Sequence, residues 1–273
     1  MPGTPAYPTT PGGATSSELR RSVDVLRALV ESDLRVRYGR GSLRAFKWLL
    51  DPIAALGVYL LLVGLLNERG DAPGLTIACA VVPFQLVIMS VVNALRSVEM
   101  RRAIILNLTF PRVLIPLASA LTEAVAFAAA VPLLGLMMVV YGIEPTAYAL
   151  WLIPAVLVTF TLAVALAYPA ALLGLWLPDL IALAVSVVRA LFFVAPGLVA
   201  LDSVAGEARD LLPINPLTGL FETYRDALLY GQSPAAWQLL VPLGVSLLLL
   251  AVTVPLYRSE QAHFAKVITG SAG

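Results

Sequence analysis

The sequence predicts an all-α, polytopic membrane protein. It reads as six transmembrane helices, with an amphipathic interface helix ahead of the first and short outer helices between the fifth and sixth. Three observations predict this class. Charged residues make up 13% of the chain and hydrophobic ones 59%, where soluble domains carry roughly a quarter charged residues, and mean hydropathy is +0.88. Several apolar runs reach the ~20 residues that a helix needs to cross a bilayer. Finally, lysine and arginine are confined largely to alternate connections between those runs.

Residues 1–17 are rich in Pro, Gly and Thr and lack an apolar core, so they read as a disordered tail and not as a signal peptide. Residues 18–45 form the interface segment. Within it, Leu19, Val23, Leu26, Val30 and Leu34 recur at helical spacing, with arginines and acids on the other face. Thr15 and Glu18 fit a capping box. Such a helix is suited to lying in the headgroup plane. Asp51, ahead of Pro52, reads as a cap on the first span.

The transmembrane domain covers 46–257. Its spans are expected at about 46–66, 75–95, 113–141, 149–174, 180–201 and 236–257. The third carries Pro116 and Pro132, which a helix bundle tolerates when neighbours satisfy the freed carbonyls. Trp151 and Trp176 read as interfacial belt residues.

Arginines crowd the segment before the first span and recur as Arg96, Arg101, Arg102 and Arg112 between spans two and three, with Arg258 and Lys266 after the last. The opposite connections hold only Arg69, Arg209 and Arg225 among eight acids. The positive-inside rule therefore places both termini, the 258–273 tail included, and the 96–112 connection in the cytoplasm. On the far side, 202–233 contains a stretch with Leu217, Leu220, Phe221, Tyr224 and Leu228 on one face and Glu222, Arg225 and Asp226 on the other. Pro216 suits a first helical turn capped by Asn215. This outer helix is expected to dip into the leaflet or lie upon it.

Several function classes are excluded. There is no Gly-x-x-x-x-Gly-Lys-Ser/Thr loop, and the only lysines are Lys47 and Lys266. One cysteine, Cys79, lies in an apolar run and one histidine, His263, in a polar tail, so neither a metal site nor a disulfide framework is expected. The Asn107-Leu108-Thr109 sequon lies on the cytoplasmic side and is discounted. A net charge of +1 gives no reason to expect nucleic acid. No catalytic residue is expected, so uphill movement must draw energy from another chain or an ion gradient. An ion-coupled carrier would show clustered intramembrane acids and inverted repeats; the chain shows no repeat, and only Glu123 is placed for such a role.

The 96–110 segment is amphipathic, and two functional readings of it stand. Ile104, Ile105 and Leu108 offer a face for a soluble partner, with Arg101 and Arg102 set to meet its acids, and Phe110, Pro111 and Arg112 passing motion into the third span. Equally, it reads as a helix lying against lipid. Inside the spans, Glu123 and Arg189 fall near mid-depth, where a charge costs roughly 2.5–3.5 kcal/mol on insertion scales. They read either as a structural pair or as a pathway in which Arg189 meets a passing phosphate. Phe192, Phe193, Tyr59 and Tyr168 are candidate stacking surfaces for sugar rings.

An ordered set of short stretches resembles the membrane subunits of ATP-binding-cassette exporters of polysaccharides and polyol phosphates, the O-antigen and teichoic-acid class. "DLRVRYGRGSLRAFKWLLDPIAALGVY" resembles that family's approach to its first span, and "VVPFQLV" its second-span Pro-aromatic element. "NLTFPRVLIPL" resembles the exit from its coupling helix. "APGLV" and "INPLTGLFETYRDALLYGQSP" resemble the end of its fifth span and its outer helices. "LPDL" resembles its turn between spans four and five, with Pro178 where the family usually has arginine.

The resemblance implies a homodimer paired with two nucleotide-binding ATPase subunits, which would hold ATP and Mg; this chain would bind no cofactor. It implies a lipid-linked glycan substrate and a bacterial cytoplasmic membrane location. Related drug, antibiotic and small-lipid exporters share the architecture.

Overall fold

In the computed structural model the described residues are 16–39, 47, 50, 53–54, 57–58, 61, 72–108, 110–204, 206, 208–261 and 264. Most of the expected first span, with Tyr59 and Asp51, lies outside them, as do Thr15, His263 and most of both tails. No strand occurs among the described residues.

The interface helix α1 spans Ser16–Tyr38. Four long apolar helices follow the expected spans: α2, Pro73–Met100; α4, Leu114–Val140; α5, Leu152–Trp176, led in by a 3-10 turn over Ala147–Trp151; and α8, Ala236–Glu260. These four are long and apolar enough to cross a membrane. Between α2 and α4 lies α3, Arg102–Asn107, six residues where the sequence suggested a helical segment over 96–110; the first residues of that segment instead finish α2.

The fifth expected span differs most. Helix α6 covers only Ile181–Val194. Its 14 residues reach about 21 Å, short of the roughly 30 Å hydrocarbon core. The cause is local: Pro196 brings no amide donor, and Gly197 N donates back to the Phe192 carbonyl at 3.1 Å, a 6→1 bond of the kind that ends helices. The backbone at Gly197 lies against the Phe192 ring so closely that a Cβ there would meet ring atoms at 2.5 Å.

Helix packing explains the bundle. α2 is its centre, buried along most of its length between α5 and α4. Lipid offers no hydrophobic drive for helix association, so close van der Waals approach of small residues must supply it. The interface is built that way, with Ala78, Ala80, Ala94, Ala155, Ala163, Ala165, Ala167 and Ala171 all buried. At Gly174 of α5 the approach is closest, since a Cβ there would lie 1.7 Å from the Leu95 carbonyl oxygen of α2.

Ties at the helix ends define two faces of the bundle. Tyr141 Oη, just after α4, accepts from Gly74 N at the start of α2, 3.2 Å. At the other end Tyr168 of α5 donates to the Val113 carbonyl at 3.0 Å and stacks edge-on against Tyr257 of α8, 5.6 Å between centroids. Arg112 donates to the Gln261 carbonyl. The second end therefore gathers Arg101, Arg102, Arg112 and Arg258 and is called the arginine-rich end below.

Opposite it, α7 (Pro216–Arg225) continues as a π-helical turn, Asp226–Tyr230. Asn215 caps α7 by accepting from Leu217 N at 3.0 Å, as its sequence suggested. A Cβ on Gly219 would meet the Gln238 carbonyl of α8 at 2.5 Å, so α7 is wedged against α8 and α2 and does not float on a surface.

Candidate functional site

A chamber of about 510 Å³ with a mixed polar and apolar lining opens at the arginine-rich end, lined by residues of α1, α2, α3 and α4 with Arg101 at the joint between α2 and α3. Ser32, Asp33, Arg37, Asn93, Arg101, Ser119 and Thr122 supply its polar wall, and Val36, Met100 and Ile104 its apolar one. Asp33 and Arg37 are four residues apart on α1, hence on one helical face, and that face turns inward.

Two ion pairs fasten it. Arg37 donates to Glu123 of α4, which also accepts from the Asn93 amide of α2. Arg101 is buried and donates to Asp33, to the Ser97 carbonyl at 3.2 Å and to Ser119 Oγ at 3.4 Å. Thr122 Oγ1 lies 3.4 Å from the same Asp33 oxygen. Burial pushes the Asp33 carboxyl above its ordinary range, and the neighbouring Arg101 guanidinium opposes but does not cancel that shift.

These contacts correct the expected Glu123–Arg189 pair. Glu123 is about nine residues into α4, at roughly 13 Å along its axis, and among the described residues it accepts from Arg37 and Asn93. Arg189 is exposed on α6 and makes no hydrogen bond or ion pair with the described residues. Equal depth in two spans says nothing about which way each side chain faces.

The α1 expectation is also corrected. Leu19 and Val23 of the apolar stripe are exposed, while Leu29 and Leu34 are buried. Asp33 and Arg37, assigned by pattern to the solvated face, enter the bundle.

Of the coupling residues, Arg101, Ile105 and Phe110 are buried, and Arg112 is held by Gln261. Ile104 is half-buried on the chamber wall. Arg102, Leu106 and Leu108 are exposed. Ile105 cannot therefore belong to a partner-facing surface, because it packs into the cluster containing Leu29, Val98 and Phe264. Leu106, which the pattern of apolar residues does not single out, is 44% exposed on α3.

Among the pathway candidates, Phe192 is fully buried against Phe84, 4.8 Å, and Phe221, 5.6 Å, and is a core residue. Phe193 is exposed. Tyr168 is buried and occupied by Val113 and Tyr257. Tyr59 lies outside the described residues.

The opposite end carries a second network that the sequence pattern misread as a polar outer face. Arg225 is wholly buried. It donates to Glu222 at 2.6 Å, to the Thr76 carbonyl at 3.2 Å, and to the Pro196 and Gly197 carbonyls at 3.1 and 3.2 Å. Glu222 also accepts from Leu201 N at 2.9 Å. Asp226 accepts from Gln232 and Gln238 at 2.7 and 2.8 Å. Every charged group here has partners of its own, so this network is a structural clamp joining α7 to α2 and to the 195–201 loop.

No protein-family model matches the chain. Individual relatives do. It is 28% identical over 256 residues to the O-antigen export system permease protein RfbA of Myxococcus xanthus, covering 92% of this chain and 98% of that protein. Two Klebsiella pneumoniae proteins of the same name are each 27% identical over 214 residues, 76% of this chain and 81% of theirs. Over nearly its whole length the chain is thus similar to a protein named as an O-antigen export permease.

Proposed function

We propose that this chain is the transmembrane permease subunit of an ATP-binding-cassette transporter that exports a lipid-linked polysaccharide or polyol-phosphate polymer. The observation that carries the reading is the near end-to-end similarity to permeases named for O-antigen export. A separate ATPase subunit binds ATP with Mg and drives transport. This chain performs no hydrolysis itself. It sits in the bacterial cytoplasmic membrane with both termini and the arginine-rich end in the cytoplasm, an orientation supported by the distribution of Lys and Arg.

In this reading α3 is the coupling helix. Its partner-facing surface is Arg102, Leu106 and Leu108, the residues that point away from the bundle. Arg101 and Ile105 act behind it by fixing α3 to α1, α2 and α4. A push on α3 then reaches α4 through Ser119 and α1 through Asp33, without an intervening flexible link.

The chain works as a homodimer with two ATPase subunits, and α6 borders the pathway. Its exposed Arg189 supports this. A cation facing lipid at that depth carries a cost of roughly 2.5–3.5 kcal/mol, which a watery passage or a second copy removes. Phe193, exposed beside it, is the remaining aromatic for contact with a sugar ring. The test is co-expression with the cognate ATPase. The pair should co-purify and hydrolyse ATP, and the permease alone should not. Nucleotide turnover by the single chain, or failure of the two to associate, contradicts the proposal.

A further inference from the structure

From its unsatisfied polar atoms, we infer that the chamber between α1, α2, α3 and α4 is a binding site for a hydroxyl-rich head group, a sugar or polyol unit. Arg101 is 6% exposed, and its Nε–H has no hydrogen-bond acceptor. A buried guanidinium N–H without an acceptor is costly, and a chamber of this volume has room for a ligand to supply one. The second carboxylate oxygen of Asp33 and the side-chain carbonyl of Asn93 receive no hydrogen bond from the described residues.

The wall thus offers free acceptors beside a free donor. Among the described residues its charges pair as Arg37–Glu123 and Arg101–Asp33. A phosphate only accepts; it could take the Arg101 Nε–H, but it would meet the free oxygen of the Asp33 carboxylate beside it and could not donate to it. A hydroxyl both donates and accepts, and adjacent hydroxyls on a ring can bridge Arg101 Nε, Asp33 and Asn93. Val36, Met100 and Ile104 form the apolar side, against which the C–H face of a sugar packs. Val36 and Met100 are 76% and 68% exposed, so the mouth is open at the arginine-rich end. Sugars of the exported glycan would meet the chamber there before translocation, and this role rests on the export reading above.

The test titrates the purified chain in sugar-free nanodiscs with octyl maltoside below its micelle concentration. Octyl phosphate, with the same tail, is the anionic control. Substitutions at Arg101 or Asp33 break the ion pair that holds the site together, so the variants are Met100→Trp and Val36→Trp, which fill the mouth and leave both ion pairs intact. Saturable glycoside binding that falls at least tenfold in both variants, with octyl phosphate binding more weakly, is the expected result. Absent glycoside binding, binding unchanged in both variants, or tighter binding of octyl phosphate overturns the assignment. Recruitment of the ATPase is measured separately on the unaltered chain, so failure of the export reading and failure of the chamber are told apart.

Discussion

Replacing Arg225 by leucine removes a guanidinium that donates to Glu222 and to the carbonyls of Thr76, Pro196 and Gly197. The Glu222 carboxylate is then stranded in a buried position with only Leu201 N as donor. Removing one partner of a buried pair costs roughly 3–5 kcal/mol. The loss here belongs at the upper end, because the buried carbonyls of Pro196 and Gly197 lose this donor as well. For a chain of this size class the melting temperature should fall on the order of 10 °C, as read by the loss of the monodisperse peak after graded heating in detergent. Adding Glu222→Leu removes the stranded charge, and the double variant should recover part of the loss even though no attraction has been restored. An Arg225→Leu protein that melts within about 2 °C of the parent would refute the view that this network clamps α7 to α2.

Three further outcomes follow from the packing and the charges. Ile105→Asp should collapse the yield of folded protein, since it places a charge in the core at a cost of several kcal/mol; Leu106→Asp and Leu108→Asp should fold normally and lose ATPase pull-down. Gly174→Ala should lower thermal stability by about 1–3 kcal/mol or more, because its Cβ would lie 1.7 Å from the Leu95 carbonyl oxygen; a neutral result would mean that α2 and α5 are not in backbone contact. Burial raises the Asp33 pKa in the folded state, so its contribution is fully present below the ordinary carboxylate value and lost as pH rises through the raised one. Asp33→Asn should flatten the melting temperature against pH in that interval, whereas an unchanged slope would remove Asp33 as its source.

How much could be read from the residues depends on what the fold asks of each. The helical spacing from Leu19 to Leu34 marked α1, and the Asn215-Pro216 pair marked the start of α7, because caps and periodicity are local properties. Span positions in α2, α4, α5 and α8 followed from the length that lipid imposes. Side-chain facing did not follow. Glu123 and Arg189 share a depth, but only tertiary packing turns Glu123 toward Asn93 and Arg37. Arg225 looked solvated because its acceptors, such as the Thr76 carbonyl, lie 149 residues away in the chain. Phe192 looked available to a ligand because the rings that bury it, Phe84 and Phe221, lie far from it in the chain. A deviation was legible in one place only: the Ala195-Pro196-Gly197 sequence, a breaker pair, lies inside the expected fifth span.

On the proposed function, this chain carries a lipid-linked glycan across the cytoplasmic membrane. The most direct measurement is the side on which that glycan resides in a strain lacking the gene, probed with a membrane-impermeant glycosidase on intact spheroplasts. The expected result is lipid-linked glycan that is made but protected from the enzyme, with accessibility restored by the unaltered gene and not by Leu106→Asp. Glycan that reaches the outer side at the normal level without this chain would contradict it.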